Sequence, residues 1–242
     1  MRAWAACLVG LIVCAGASEA GAPPLKVVLI SGSGEYKSAD SLPALQKYLE
    51  ASFNARCTLL QAQQDKEVPG LEALDDCDVA LLFTRRIKLE GDPLERFKRY
   101  CLAGKPLVGV RTASHAIQTW LELDKEVLGG NYHGHGPGNV VQKVAVNPEA
   151  RDHPVLKGVA DFESPYSLYR TGPIAKDATL LLTGATEKPA ASEPAAWVRE
   201  HKGGRVFYTS LGGPKDFETP SFRQMIVNAL FWTARRELEP RP

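Results

Sequence analysis

Cysteine is scarce in this 242-residue chain, with five in all, two of which (Cys7 and Cys14) fall within the first twenty residues. The others, Cys57, Cys77 and Cys101, are odd in number and show no CxxC or CxxxC spacing. That pattern argues against a disulfide framework and against a cysteine zinc motif. An excess of charge of one sign is also missing, since 29 Lys and Arg stand against 28 Asp and Glu. A near-neutral chain has no electrostatic footprint for nucleic acid. No apolar run reaches the about 20 residues that a membrane-spanning helix requires. Repeats, low-complexity tracts and long Gly/Ser/Pro linkers are lacking too, so nothing divides the chain into separate cores.

What is present begins with a distinct amino terminus. Arg2, the short apolar run Leu8–Val13 and the small residues Ala15, Gly16, Ala17, Ser18 and Ala20 have the layout of a signal peptide. Residues 1–20 are therefore expected to be removed on export, leaving 21–242 as one domain in the periplasm or outside the cell. A lipid anchor at Cys14 is disfavoured because bulky Val13 precedes it.

The body of the chain alternates strand-like and helix-like segments. Leu25–Ile30 is a continuous apolar run ending in Ser31–Gly34, as a strand buried on both faces would be. Leu42, Leu45, Leu49 and Phe53 repeat at helical spacing within 41–53. Strands are predicted at 57–60, 79–83 and 107–110, a helical turn at 71–74 and a helix at 93–102 capped by Gly104. Short connections of this kind are right-handed crossovers onto a parallel sheet. The predicted fold is an α/β, doubly wound, mostly parallel flavodoxin-like sheet with helices on both faces. Further strands are expected at 140–146 and 179–183. A hairpin of 195–199 with 205–211 turns at His201–Gly204, and a closing helix spans 222–234. The Ala/Pro-rich stretch 188–195 reads as a surface loop.

A doubly wound sheet binds ligands at the carboxyl ends of its strands. The loop Arg111–His115 lies there. Its first residue occupies the position where elbow-type enzymes present a nucleophile, but a guanidinium cannot attack. Arg111 could instead hold a carboxylate or an oxygen-rich ligand, or bridge groups beneath the loop. Ser114 is a weak nucleophile candidate and serves better as a binding group. His133 and His135 sit among glycines, which permit a bent backbone that turns both toward a ligand. Tyr169 and Trp197 offer aromatic faces suited to sugar rings. Gly212 follows the strand 205–211 and would allow close approach of a ligand.

Several segments taken together resemble the ThuA-like (trehalose utilisation) family. They are GVRTASH at 109–115, LGGNYHGH at 128–135, HPVLKG at 153–158, Trp197, GRVFYTSLG at 204–212 and the helix 222–233. The resemblance implies a fold similar to class I glutamine amidotransferases and a link to disaccharide or keto-sugar metabolism. It places His115, His135, Tyr169 and Trp197 on the sugar side of a pocket. This chain departs from the family pattern at Arg111 and Gly213, where many members carry His, and at Ser167, where an acidic residue is usual. The elbow nucleophile is absent as well, which removes an amidotransferase reading.

The leading expectation is an exported protein acting on a carbohydrate by acid/base chemistry, with His115 and His135 as catalytic groups. Arg111, Ser114, His133, Tyr169, Trp197 and Gly212 would bind the substrate. A non-catalytic sugar-binding module and a metal-dependent hydrolase using the histidines are the alternatives. The partner expected is a small-molecule carbohydrate, with no cofactor, no nucleic acid and no membrane span.

Overall fold

The computed structural model describes residues 22–138 and 140–241. The expected signal peptide and Cys14 lie outside the described residues. No helix among those described is long and apolar enough to cross a membrane.

Nine strands among the described residues form one sheet in the order β2-β1-β3-β4-β9-β8-β7-β5-β6. The first half follows the sequence pattern closely. β1 (Leu25–Gly32), α1 (Ser38–Ser52), β2 (Ala55–Gln61), β3 (Val79–Thr84), α2 (Gly91–Leu102) and β4 (Leu107–Val110) alternate as expected. β1 buries residues on both faces. Leu25, Val27 and Leu29 pack with Leu42, Leu45 and Leu49 of α1, whereas Val28 and Ile30 pack with Leu94 and Phe97 of α2. A continuous apolar strand is what two covering layers require. α2 ends at Gly104, whose φ of +70° suits the left-handed capping position.

The second half corrects the expectation of a mostly parallel sheet. β2, β1, β3, β4 and β9 (Gly204–Thr209) pair in parallel. β8 (Ala190–His201), β7 (Thr179–Glu187), β5 (Gln142–Val146) and β6 (Phe162–Ser164) add an antiparallel extension. The sheet is mixed. The stretch 188–195 is also not simply a loop, since β8 already begins at Ala190 and pairs with β7 through Glu187–Ala190 and Ala185–Ser192. Small, exposed residues and Pro194 hide this strand because they lack the apolar alternation that marks a half-buried one. The hairpin turn at 201–204 lies where the Gly203-Gly204 signal put it, and α3 (Pro214–Glu218) and α4 (Pro220–Thr233) close the chain. Cys57, Cys77 and Cys101 are free thiols.

Because β1, β3, β4 and β9 are parallel neighbours, the loops that follow them emerge at one end of the sheet. The segments beginning at Ser33, Arg85, Arg111 and Ser210 meet there.

Candidate functional site

Arg111 starts a tight turn immediately after β4, with φ +45°. A non-glycine residue in the left-handed region is uncommon and persists only where its surroundings fix it. Here they do. The Tyr208 hydroxyl donates to the Arg111 carbonyl (2.7 Å), and the fully buried guanidinium donates to Ser210 O (2.7 Å), Tyr36 Oη (3.1 Å) and Ser167 Oγ (3.2 Å). It also lies over the rings of Tyr36 (4.1 Å) and Tyr169 (4.5 Å). The residue expected to grip a ligand is therefore sealed and engaged with the protein itself. Its partners are carbonyls and hydroxyls rather than carboxylates. Buried Asp216 is the acid that acts on it from nearby, and accepts from the backbone N–H groups of Gly212 (2.8 Å) and Gly213 (2.9 Å).

The three departures from the family pattern fall around this one group. Arg111 bonds Ser167, and Gly213 lies flush against the Tyr166 ring, which neighbours the guanidinium at 5.5 Å. A Cβ at position 213 would overlap that ring. Gly213→Ala is expected to cost about 1–3 kcal/mol of stability through overpacking, readable in urea unfolding. An unchanged midpoint would mean that the ring moves aside freely.

His115 lies on the same turn and is buried, with 8% of its surface exposed. Its ring stacks on Tyr132 (4.5 Å between centroids) and neighbours Tyr169 (6.0 Å). Adjacent side chains seldom point at each other, yet the tight turn brings Ser114 Oγ to 3.1 Å from His115 Nδ1. The Ser114 hydroxyl also lies 3.4 Å from the Arg111 carbonyl, so its one proton can go to that oxygen or to Nδ1, and the choice sets the His115 tautomer. A proton on Nδ1 would leave Nε2 as the acceptor. Burial, followed by the charges of Arg86, Arg85, Arg111 and His135, lowers the His115 pKa to about 3. At neutral pH the ring is an uncharged acceptor.

The glycine-rich loop does approach this point. His133 N donates to Arg170 O (3.1 Å), Arg170 N to Gly134 O (2.9 Å) and Gly136 N to Leu168 O (2.8 Å). These bonds strap 131–136 against 168–171. Tyr132 thereby reaches the Tyr169 ring at 4.8 Å and His135 reaches it at 6.2 Å. His115, Tyr132, Tyr169 and His135 form one aromatic cluster. His133 is exposed, and its ring bonds Asn131 O (2.6 Å) instead. Trp197, expected in the pocket, is fully buried beneath it, donating to Leu128 O (2.7 Å) and packing on Tyr208. Gly212 serves the Asp216 turn, where a Cβ would overlap Val110. Among the described residues, no three His, Cys, Asp or Glu side chains gather closely enough to hold a metal, which leaves the metal-hydrolase alternative without a ligand set there.

Tyr132, Arg85, Arg86 and Asp124 are not singled out by sequence pattern. For Tyr132 a signal did exist, an aromatic ring between Asn131 and His133 in the glycine-rich loop. Asp124 accepts from Tyr132 N (2.7 Å), which anchors the loop, and its Oδ1 is buried without a partner. Burial raises its pKa to about 6. The folded state then holds a proton between pH 4 and 6 that the unfolded chain has lost. This contribution is present below about pH 4 and disappears as pH rises through 6. Asp124→Asn is expected to gain on the wild type by on the order of 2 kcal/mol across that window. His115 acts with the opposite sign, its contribution being present above pH 6.5 and lost as pH falls toward 3. Urea unfolding of both proteins from pH 4 to 7 checks the claim, and a constant difference between them would contradict it.

The sequence model of the ThuA family, described as trehalose utilisation, matches residues 26–233. The chain belongs to the ThuA family. Its fold is similar to that of a ThuA-like protein from Bacteroides uniformis (TM-score 0.69, 22% identity, covering 90% of this chain and 94% of that one). A ThuA-like protein from Parabacteroides merdae is similar to the same degree (TM-score 0.69, 18% identity, 87% and 90% covered). A GMP synthase component from Thermoplasma acidophilum is also similar (TM-score 0.55, 14% identity, 88% and 95% covered). That likeness fits the amidotransferase-like fold expected of ThuA proteins. No curated protein matches the chain.

Proposed function

We propose that this ThuA protein binds a carbohydrate or keto-sugar against the cluster of His115, Tyr132, Tyr169 and His135, and that neutral His115 accepts a proton from it. The observation that carries the reading is the His115 imidazole at the carboxyl end of the sheet, uncharged at neutral pH, with Nδ1 against Ser114 Oγ (3.1 Å) and its ring stacked on Tyr132. Aromatic rings beside a base suit a sugar, whose C–H faces are apolar and whose edges carry acidic protons. His135, exposed and across Tyr169, would act as the partner acid. Export to the periplasm or beyond is part of the proposal and rests on the amino-terminal pattern.

One observation favours a binding module without turnover. Arg111, Ser167 and Gly213 stand where many relatives place ionisable groups, and the guanidinium is fully buried with both terminal nitrogens bonded inside the fold. Titrating the mature protein with trehalose, glucose and their keto derivatives, and following product by mass spectrometry, separates the two. Binding with product supports proton transfer, and binding without product supports the module. If none binds, both readings fail.

A further inference from the structure

We propose that the sugar bound at this ring cluster carries an anionic group, a carboxylate or a phosphate, and that Arg86 receives it. The inference rests on the sugar reading above and narrows its substrate class.

Arg85 and Arg86 follow β3 and are tied by their backbone to the neighbouring turns. Arg85 N donates to Gly32 O (3.0 Å), Arg86 N to His115 O (3.0 Å) and Ile87 N to Ala116 O (2.8 Å). The pair is thus fixed between the turn after β1 and the turn that carries His115. Arg86 adopts φ +52°, a left-handed conformation uncommon away from glycine. That position carries an exposed side chain on the segment bonded to the His115 backbone.

The two arginines are not equivalent. Arg85 Nε is paired with Glu35 at 2.7 Å. Arg86 takes part in none of the ion pairs found among the described residues. Its charge nonetheless reaches the site, because it bears on both His115 and Tyr132. Arg86, Arg85, Arg111 and His135 are the groups whose charge helps to lower the His115 pKa. Glu35 pairs with Arg85 and Asp216 acts on Arg111, so Arg86 is the arginine of this set left without a carboxylate among the described residues. A carboxylate or phosphate would receive the planar fork of Arg86 in charge-assisted hydrogen bonds.

The same charge balance bears on the chemistry. A base with a pKa near 3 is poorly matched to neutral pH, where efficient bases have pKa values closer to the medium. An anion beside Arg86 would offset the cationic field and make His115 a stronger proton acceptor only when the right substrate is bound. The cation expected from Arg111 is thus supplied by a neighbouring loop instead.

Saturation-transfer NMR with the mature protein tests this, using glucose, trehalose, glucuronate, glucose 6-phosphate and inorganic phosphate as probes. Glucuronate or glucose 6-phosphate should bind at least roughly tenfold more tightly than glucose in dilute buffer, as expected for a charge-assisted contact. The gap should shrink in high salt. Whichever anion binds more tightly identifies the group. Arg86→Gln should close the gap while Arg86→Lys retains part of it, and both substitutions fall on an exposed side chain. Equal affinities for charged and neutral sugars, unaffected by Arg86→Gln, would overturn the inference and leave the sugar reading standing. Inorganic phosphate binding as tightly as glucose 6-phosphate, or no binding by any sugar, would overturn both.

Discussion

Replacing Arg111 with methionine is expected to remove about 3–5 kcal/mol of folding stability, the largest effect of any single change at this site. Methionine is long enough to fill part of the space but donates nothing. The Ser210 carbonyl, the Ser167 hydroxyl and the Tyr36 hydroxyl would each lose a buried donor, and each such loss costs about 1–3 kcal/mol when no water replaces it. Buried Asp216 would lose the nearby positive charge that helps to keep it ionised. For a domain of this size the loss corresponds to a melting temperature lower by roughly 6–20 °C. Lysine should rescue little, because a single ammonium cannot span carbonyl and hydroxyl partners on separate segments. A loss under about 1 kcal/mol would mean that the guanidinium is not committed to the fold, which would make it available to a ligand again.

His115→Phe is expected to have the largest effect on activity. Phenylalanine keeps a flat ring against Tyr132 and removes Nε2, so packing survives while the proton acceptor does not. A positioned general base contributes roughly 10²–10⁴-fold to rate. On any sugar for which turnover is found, kcat should fall by about that factor with little change in KM. Ser114→Ala should produce a smaller drop by freeing the tautomer that the Ser114 hydroxyl holds. Retained turnover in His115→Phe would remove this residue from the chemistry and favour the binding module.

The parallel half of the fold was legible because its strands are buried on both faces and its helices carry regular apolar stripes. Leu107–Val110 is an example, being apolar throughout and followed directly by a polar turn. The antiparallel extension was harder to read. Ala190–Pro194 has neither alternation nor bulk, since this part of β8 pairs with β7 near the sheet's outer end, where few side chains pack. At the site, the position of Arg111–His115 followed from the general rule for doubly wound sheets. Its use did not. Whether an arginine faces solvent or the core depends here on Ser167, Tyr36 and Ser210, which lie 56 to 99 positions away in sequence. The Leu128 carbonyl that holds Trp197 is equally remote, at 69 positions. Tyr132 and Arg86 are hidden for a related reason. Each acquires its meaning only when the strap 131–136 and the turn after β3 meet over His115.

The account depends most on His115 being a neutral base in contact with bound sugar. A ¹⁵N-histidine NMR titration of the protein, with and without the tightest-binding sugar, tests this most directly. Across pH 5–8 the His115 side chain should stay uncharged with its proton on Nδ1, and its Nε2 resonance should shift when the sugar is added. A His115 that titrates near pH 6.5, or an Nε2 signal that ignores every sugar that binds, would contradict it.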